Sequence, residues 1–321
     1  MNKGYLYTII SMACWGLVYV LPLFVPEFNA MELAMGRHLV YGAISLLLLL
    51  TVQKELFTKK YYSLKYISMG SLFSLTGFIL FFMFFVTSIR YLGGTIATIS
   101  LSLIPISVSI YGNFRNREFP ISQLLPPIFL IILGIVFMHT KDIIAEHGII
   151  NCSNTIIGMS CSLGAIVSWT WYGVNNGRFL NDNPDIDPIC WASFTGVISF
   201  ILTFTMWIYY SIKHPENLHF YSSTLTAREV MTFIFYSLAL GTFGTWMGTV
   251  FFNKATKHLP MSILGQLLVL EILFGLLYIY LKEMTPPSYM ELLGIGSILI
   301  GLIDSFRRVR QSKKLKNICK T

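Results

Sequence analysis

Leu259–Glu283, LPMSILGQLLVLEILFGLLYIYLKE, is the stretch whose reading decides the fold. It is an apolar run of helix length with one carboxylate, Glu271, near its middle, and it closes on Lys282-Glu283 beside prolines. About twenty apolar residues are what an α-helix needs to cross a ~30 Å hydrocarbon layer. Moved back by 167 positions, the run lands on Leu92–Asn116, with Leu259 on Leu92 and Lys257 on Arg90. After a two-residue slip, Glu283 answers Glu118, and Pro286 answers Pro120 or its neighbour. Gly294 and Gly301 fall opposite Pro127 and Gly134 at the original offset. The chain reads as one unit written twice.

Working outward, the composition agrees with a membrane protein. Apolar residues make up 55% of the chain and charged ones 12%, against roughly 25% charged in a soluble domain. Ten apolar blocks stand out, near 4–24, 32–52, 66–87, 93–114, 121–139, 156–177, 188–212, 230–252, 260–281 and 288–306. The expected fold class is all-α integral membrane, with ten transmembrane helices. The expected units are two five-span repeats, 1–145 and 146–306, and a basic tail, 307–321. Five is odd, so corresponding helices enter from opposite sides and the repeats are inverted. Secondary transporters use such repeats to place a substrate between the halves near mid-membrane.

Orientation follows from the Lys and Arg residues, which favour the cytoplasmic side. With the N-terminus inside, inner segments carry 17 basic residues, outer loops carry 5, and Arg37 lies within a span. Both termini are therefore expected in the cytoplasm of a cell whose inner membrane holds the chain. The net charge of +8 then calls for no nucleic acid, because Arg307–Lys320 reads as a topology anchor beside anionic headgroups. The first span lacks a small-x-small cleavage site and is read as a span rather than a signal peptide. The five cysteines, three of them in spans (Cys14, Cys161, Cys190), have neither disulfide nor metal spacing. No metal and no cofactor is expected.

Candidate site residues come from polar and aromatic positions inside spans. Glu271 lies about mid-bilayer, where an unpaired charge costs roughly 2.5–3.5 kcal/mol on insertion scales. It reads as a proton-titrating group, a site for a substrate ammonium, or a buried ion-pair partner. Arg37 suits a carboxylate, which its guanidinium grips with two parallel hydrogen bonds; a tie between helices is the alternative. His38 points about 100° away from it and is a second candidate for proton coupling, or a hydrogen-bonded interface residue. Trp15 and Tyr19 share a stripe of the first span, and 154 positions on Trp15 meets Trp169, which shares a face with Tyr172 and Asn176. These aromatic faces are expected to line a cavity and suit flat or cationic solutes. Gln266 precedes Glu271 by five residues, about 140° around the helix, so at most one of the two faces a given point unless the helix is distorted. Glu118 and Glu283 read as structural, hydrogen-bonding a neighbouring helix end. The glycines of span 8 (Gly241, Gly244, Gly248) mean tight packing or a soft point.

The twinned Arg117-Glu118 and Lys282-Glu283, each followed by proline and a glycine-bearing helix, together with Trp15-Gly16 and Arg37, carry a resemblance. The chain is similar to the EamA type of the drug/metabolite transporter superfamily over essentially its whole length. The resemblance implies ten spans in two repeats and alternating access. It also implies a small-molecule substrate, outward flux and no ATP, in keeping with the lack of a G-x-x-x-x-G-K-[ST] motif. Two departures stand out. Arg and Lys replace the usual Gly before the glutamates, and Ile272 stands where span 9 often has a proline, whereas Pro105 keeps that of span 4. No family role transfers to Glu271. The expected function is export of amino acids or related zwitterions and amines, by a monomer or homodimer in contact with lipid and possibly protons. The alternatives are efflux of cationic compounds, or a lipid-handling protein whose spans 1 and 6 pack shut. No H-E-x-x-H or G-x-S-x-G points to an enzyme.

Overall fold

The computed structural model describes residues 3–53, 59–92, 94–140, 152–284 and 286–318. Within them the chain is helical and without strands. The first half comprises α1 (Lys3–Val20), α2 (Ala30–Leu50), α3 (Leu64–Ser74), α4 (Phe81–Leu92), α5 (Gly94–Leu101), α6 (Ile104–Asn116) and α7 (Ile121–Met138). The second comprises α8 (Cys152–Asp182), α9 (Pro188–Lys213), α10 (Ala227–Ala239), α11 (Gly248–Thr256), α12 (Met261–Leu267), α13 (Leu270–Glu283) and α14 (Tyr289–Ile318). π-helical turns, Leu75–Leu80 and Leu240–Met247, join α3 to α4 and α10 to α11. The outer loop expected between the halves and most of the basic tail's side chains lie outside the described residues.

Eight helical segments among the described residues are long and apolar enough to cross a membrane. The other two expected spans differ for physical reasons. Block 93–114 is broken at Ser102-Leu103 into α5 and α6, neither long enough alone, and Pro105 opens α6 where its missing N–H is harmless. Block 156–177 lies in α8, long enough at 31 residues but diluted by Ser160, Ser162, Ser168, Asn175 and Asn176. Span 9 is broken as well, at Leu268-Val269, although Ile272 replaces the proline. There the chain tightens, with Glu271 N–H donating to the Leu268 carbonyl and Ile272 N–H to that of Val269.

Local signals explain the helix starts. Asn29 and Glu32 form a reciprocal capping box at α2, and Thr226 and Glu229 form another at α10. The Asp187 carboxylate accepts from the N–H groups of Ile189 and Cys190 at α9, with Pro188 at the first position. Pro22 ends α1 in a short 3-10 turn, Leu21–Phe24, as its position suggests.

The helices pair in a pattern that survives exchange of the halves. α7 packs on α14 and α2 on α9. The α1–α13 contact is answered by α8–α6, and α1–α11 by α8–α4. Left-handed residues follow the two broken spans, Arg117 (φ 50°) and Met284 (φ 54°). They are 167 positions apart, so the register holds without the expected two-residue slip, and Glu283 is not the positional counterpart of Glu118. One pairing breaks the pattern. α6 packs along α12, with Gly265 so close to the Ser109 backbone that no methyl would fit. Its counterpart, α5 against α13, is a far weaker pairing among the described residues, because α5 packs on α4 and α8 instead.

Candidate functional site

Glu271 opens α13 directly after the break, and its orientation follows from the helix period. Glu271, Gly275 and Tyr278 fall at i, i+4 and i+7 and face α1. The Tyr278 hydroxyl donates to the Ala13 carbonyl at 3.0 Å, and Tyr19 packs over Gly275. Gly16 brings α1 against the Glu271 carbonyl and Phe274, an approach any side chain there would block. Leu277 and Leu281, on the other face of α13, are 48% and 64% exposed and look to lipid. Glu271 therefore faces the interior.

Arg37 reaches the same interior from α2. Its turn is pressed against the second π segment, where Gly241 sits on the Arg37 carbonyl and on Val40. The run Gly241, Gly244, Gly248 thus does both things its sequence suggests, packing tightly and loosening the helix into a π turn. Arg37 and Glu271 lie within electrostatic reach of each other, and Tyr19 sits near the carboxylate as Tyr236 does near the guanidinium. No ion pair or hydrogen bond joins Arg37 to Glu271 among the described residues, and Arg37 Nε is buried without a partner. Both residues, like Tyr19, Trp15 and Trp169, stay partly open while Gly16, Gly36 and Thr170 beside them are buried.

Trp15 and Trp169 meet edge to face at 5.7 Å, and both stack on Phe252 of α11, at 5.2 and 6.0 Å. α1 and α8 meet through these rings rather than along their lengths. The structure thus brings together Trp15, Tyr19, Arg37, Trp169 and Glu271.

Four other expected residues lie elsewhere. Asn176 is closed into a polar knot, donating to Asn253 Oδ1 at 2.9 Å and accepting from Trp191 Nε1 at 2.8 Å. Tyr172 is buried over Gly77 against Phe73 and Phe78. Gln266 turns to α6, where its amide donates to Ser109 Oγ at 3.3 Å and its carbonyl oxygen is left buried and unpaired. The break after α12 is the distortion that separates it from Glu271. His38 bonds the Ala34 carbonyl through Nδ1 at 2.8 Å, and its Nε2, unpartnered, borders a cavity of about 10 Å³ among Phe78, Phe82 and Met206. That is room for about one water, on the side of α2 away from Glu271.

Three features escape a reading of the sequence: Tyr236 beside Arg37, Phe252 under the indoles, and the partner of Glu118. Tyr236 precedes the span 8 glycines by about a turn, the only signal it offers. The Glu118 carboxylate accepts the N–H groups of Met261 and Ser262, both at 2.8 Å, and caps the start of α12 from the end of α6. Ser109 Oγ adds a bond to the Ser262 carbonyl at 2.7 Å. Glu118 is the helix-end ligand its position suggests.

Comparison with known proteins now has a site to address. Residues 2–140 match the EamA-like transporter family. Over 320 residues the chain is 26% identical to inner membrane protein YtfF of Escherichia coli (strain K12), covering 96% of each. A solved structure, described only as the crystal structure of a protein, superposes with a TM-score of 0.73 over 96% of this chain and 98% of that one. At 14% identity it speaks for the fold alone. Eight apolar helices, a whole-length membrane relative and the family match converge. Residues 2–140 thus resemble the EamA-like transporter family, and the chain is a multi-pass, all-helical membrane protein.

Proposed function

We propose that this protein is a secondary transporter that exports small organic metabolites carrying both an ammonium and a carboxylate, such as amino acids, across the inner membrane. The observation that carries the reading is the pair Arg37 and Glu271, two charges among membrane helices, within electrostatic reach of each other but unpaired. An uncompensated charge at that depth is costly, and a zwitterion lying between them satisfies both. Trp15, Trp169 and Tyr19 supply the aromatic wall for its apolar part. Gln266, Tyr172 and Asn176 hold the helices that frame this wall.

Ten spans in two inverted repeats account for the exchange-symmetric helix pairs. The one asymmetric pairing supports alternating access. With both termini cytoplasmic, α6 and α12 are the inner halves of the broken spans and α5 and α13 the outer halves. The inner halves are packed and clamped by Glu118 and the outer ones pair far less, which fits an outward-facing arrangement. Exchange of the two pairings gives the inward-facing one. Broken helices at the repeat interface are where transporters of this architecture bind substrate.

The test is counterflow into proteoliposomes with labelled amino acids, amines and nucleosides at two pH gradients. Saturable exchange of zwitterions, lost in Glu271→Gln and Arg37→Gln, is expected. Flux that neither saturates nor shows counterflow would replace the transporter by a channel. If Glu271 also carries the coupled proton, flux in Glu271→Gln no longer responds to the pH gradient, and a His38→Gln variant still does.

Efflux of organic cations is the second reading, favoured by the aromatic faces beside Glu271. It predicts that Arg37→Gln leaves amine transport intact or improves it.

A further inference from the structure

The α6–α7 turn (117–120) holds a surface recess of about 680 Å³, lined in part by Phe114, Arg115, Arg117 and Glu118. Its charges are unbalanced. Arg115 and Arg117 are exposed and have no hydrogen bond or ion pair among the described residues. Glu118, the acid beside them, is already engaged. One oxygen accepts from Met261 N–H and Asn116 Nδ2, the other from Ser262 N–H. The turn itself is rigid, because Asn113 donates to the Phe119 carbonyl at 3.0 Å and accepts its N–H at 2.8 Å. Two free guanidiniums are thus held on a fixed frame.

Two further features say what kind of anion fits. Phe114 is 81% exposed at the last turn of α6, an aromatic ring at the level where hydrocarbon gives way to headgroups. Arg117 occupies a left-handed backbone position, φ 50° and ψ 48°, where a residue with a Cβ is disfavoured relative to glycine. A long cationic side chain is kept where the backbone favours none. A soluble anion gains nothing from Phe114, whereas a lipid uses both parts.

We infer that this recess binds an anionic phospholipid, its phosphate between Arg115 and Arg117 and its acyl region against Phe114. Binding does not depend on the transport reading. Its consequence does: the same turn carries Glu118, so a bound lipid stiffens the clamp on α12 and favours the closed α6–α12 arrangement.

The full chain in neutral detergent, titrated with phosphatidylglycerol, phosphatidylcholine or inorganic phosphate, tests this by native mass spectrometry and thermal melting. Phosphatidylglycerol is expected to be retained and to raise Tm, with phosphatidylcholine and millimolar phosphate doing neither. Arg115→Gln with Arg117→Asn, which keeps a residue tolerant of the left-handed position, should weaken retention about tenfold or more, two charge-assisted contacts being lost. Phe114→Ala should weaken it less. Arg178→Gln removes a cation already paired with Asp182 at 3.5 Å and should change nothing. Equal retention of both lipids, an unaffected double variant, a parallel loss in Arg178→Gln, or displacement by phosphate alone would each overturn the inference.

Discussion

Two polar clusters lie among the helices of this protein and are satisfied to opposite degrees. In one, Asn176, Asn253 and Trp191 bond one another across α8, α11 and α9, and Asn176 is 1% exposed. In the other, Arg37 and Glu271 approach without pairing, and both stay partly exposed. A buried polar group without a partner costs several times what a satisfied one contributes, so the second cluster persists only if something else completes it. The first cluster is closed within the protein; the second is left without a partner among the described residues.

The largest expected effect breaks the second cluster. Glu271→Gln or Arg37→Gln should weaken zwitterion binding by about 10- to 100-fold, the loss of one charge-assisted hydrogen bond of roughly 1.5–3 kcal/mol, while Tm holds or rises. Binding measured by tryptophan quenching, with Trp15 and Trp169 in the wall, checks both halves. Next comes Glu118→Gln. It removes a charged cap worth on the order of 1–2 kcal/mol and should shift the chain toward opening between α6 and α12. Increased modification of a cysteine placed at Ser109 from the inner side is the readout, and no change there would leave Glu118 as a cap without a gating role.

Asn176→Ala breaks the first cluster instead. It should lower stability by about 1–2 kcal/mol, in the range of polar contacts between membrane helices, with substrate affinity per folded molecule unchanged. A matched fall in affinity would merge the two clusters into one site. The smallest effect belongs to Gln266→Met, which removes a long bond and an unpaired buried oxygen. Its Tm should move by less than that of Asn176→Ala, and substrate preference should not move at all.

Much of the frame was legible in the chain. The apolar blocks, the offset of 167, Pro105, Pro22 and the glycines of span 8 each announce a local physical requirement, such as a length, a missing N–H or a close approach. Glu271 and Arg37 stood out because charge is rare at that depth. Asn176, Tyr172 and Gln266 are engaged by neighbouring helices, and sharing a helical face with an aromatic says nothing about which neighbour that face meets. Asn176 meets Trp191, and Gln266 meets Ser109. Tyr236 and Phe252 were silent, being ordinary aromatics in apolar spans. The break in span 9 was hidden as well, since no proline marks it and i→i−3 tightening leaves no mark in composition.

The amino-acid sequence by itself determined that this chain is a bundle of membrane helices with a lone acid and a lone guanidinium among apolar residues. Periodicity and transfer free energy act on each segment separately, so they can be read from each segment separately. Only the tertiary structure decided that Glu271 and Arg37 come near each other without pairing, that Glu118 caps α12, and that α6 packs closely on α12 while α5 pairs far less with α13. Those facts depend on which faces of distant helices meet, and that is settled by packing across the whole bundle.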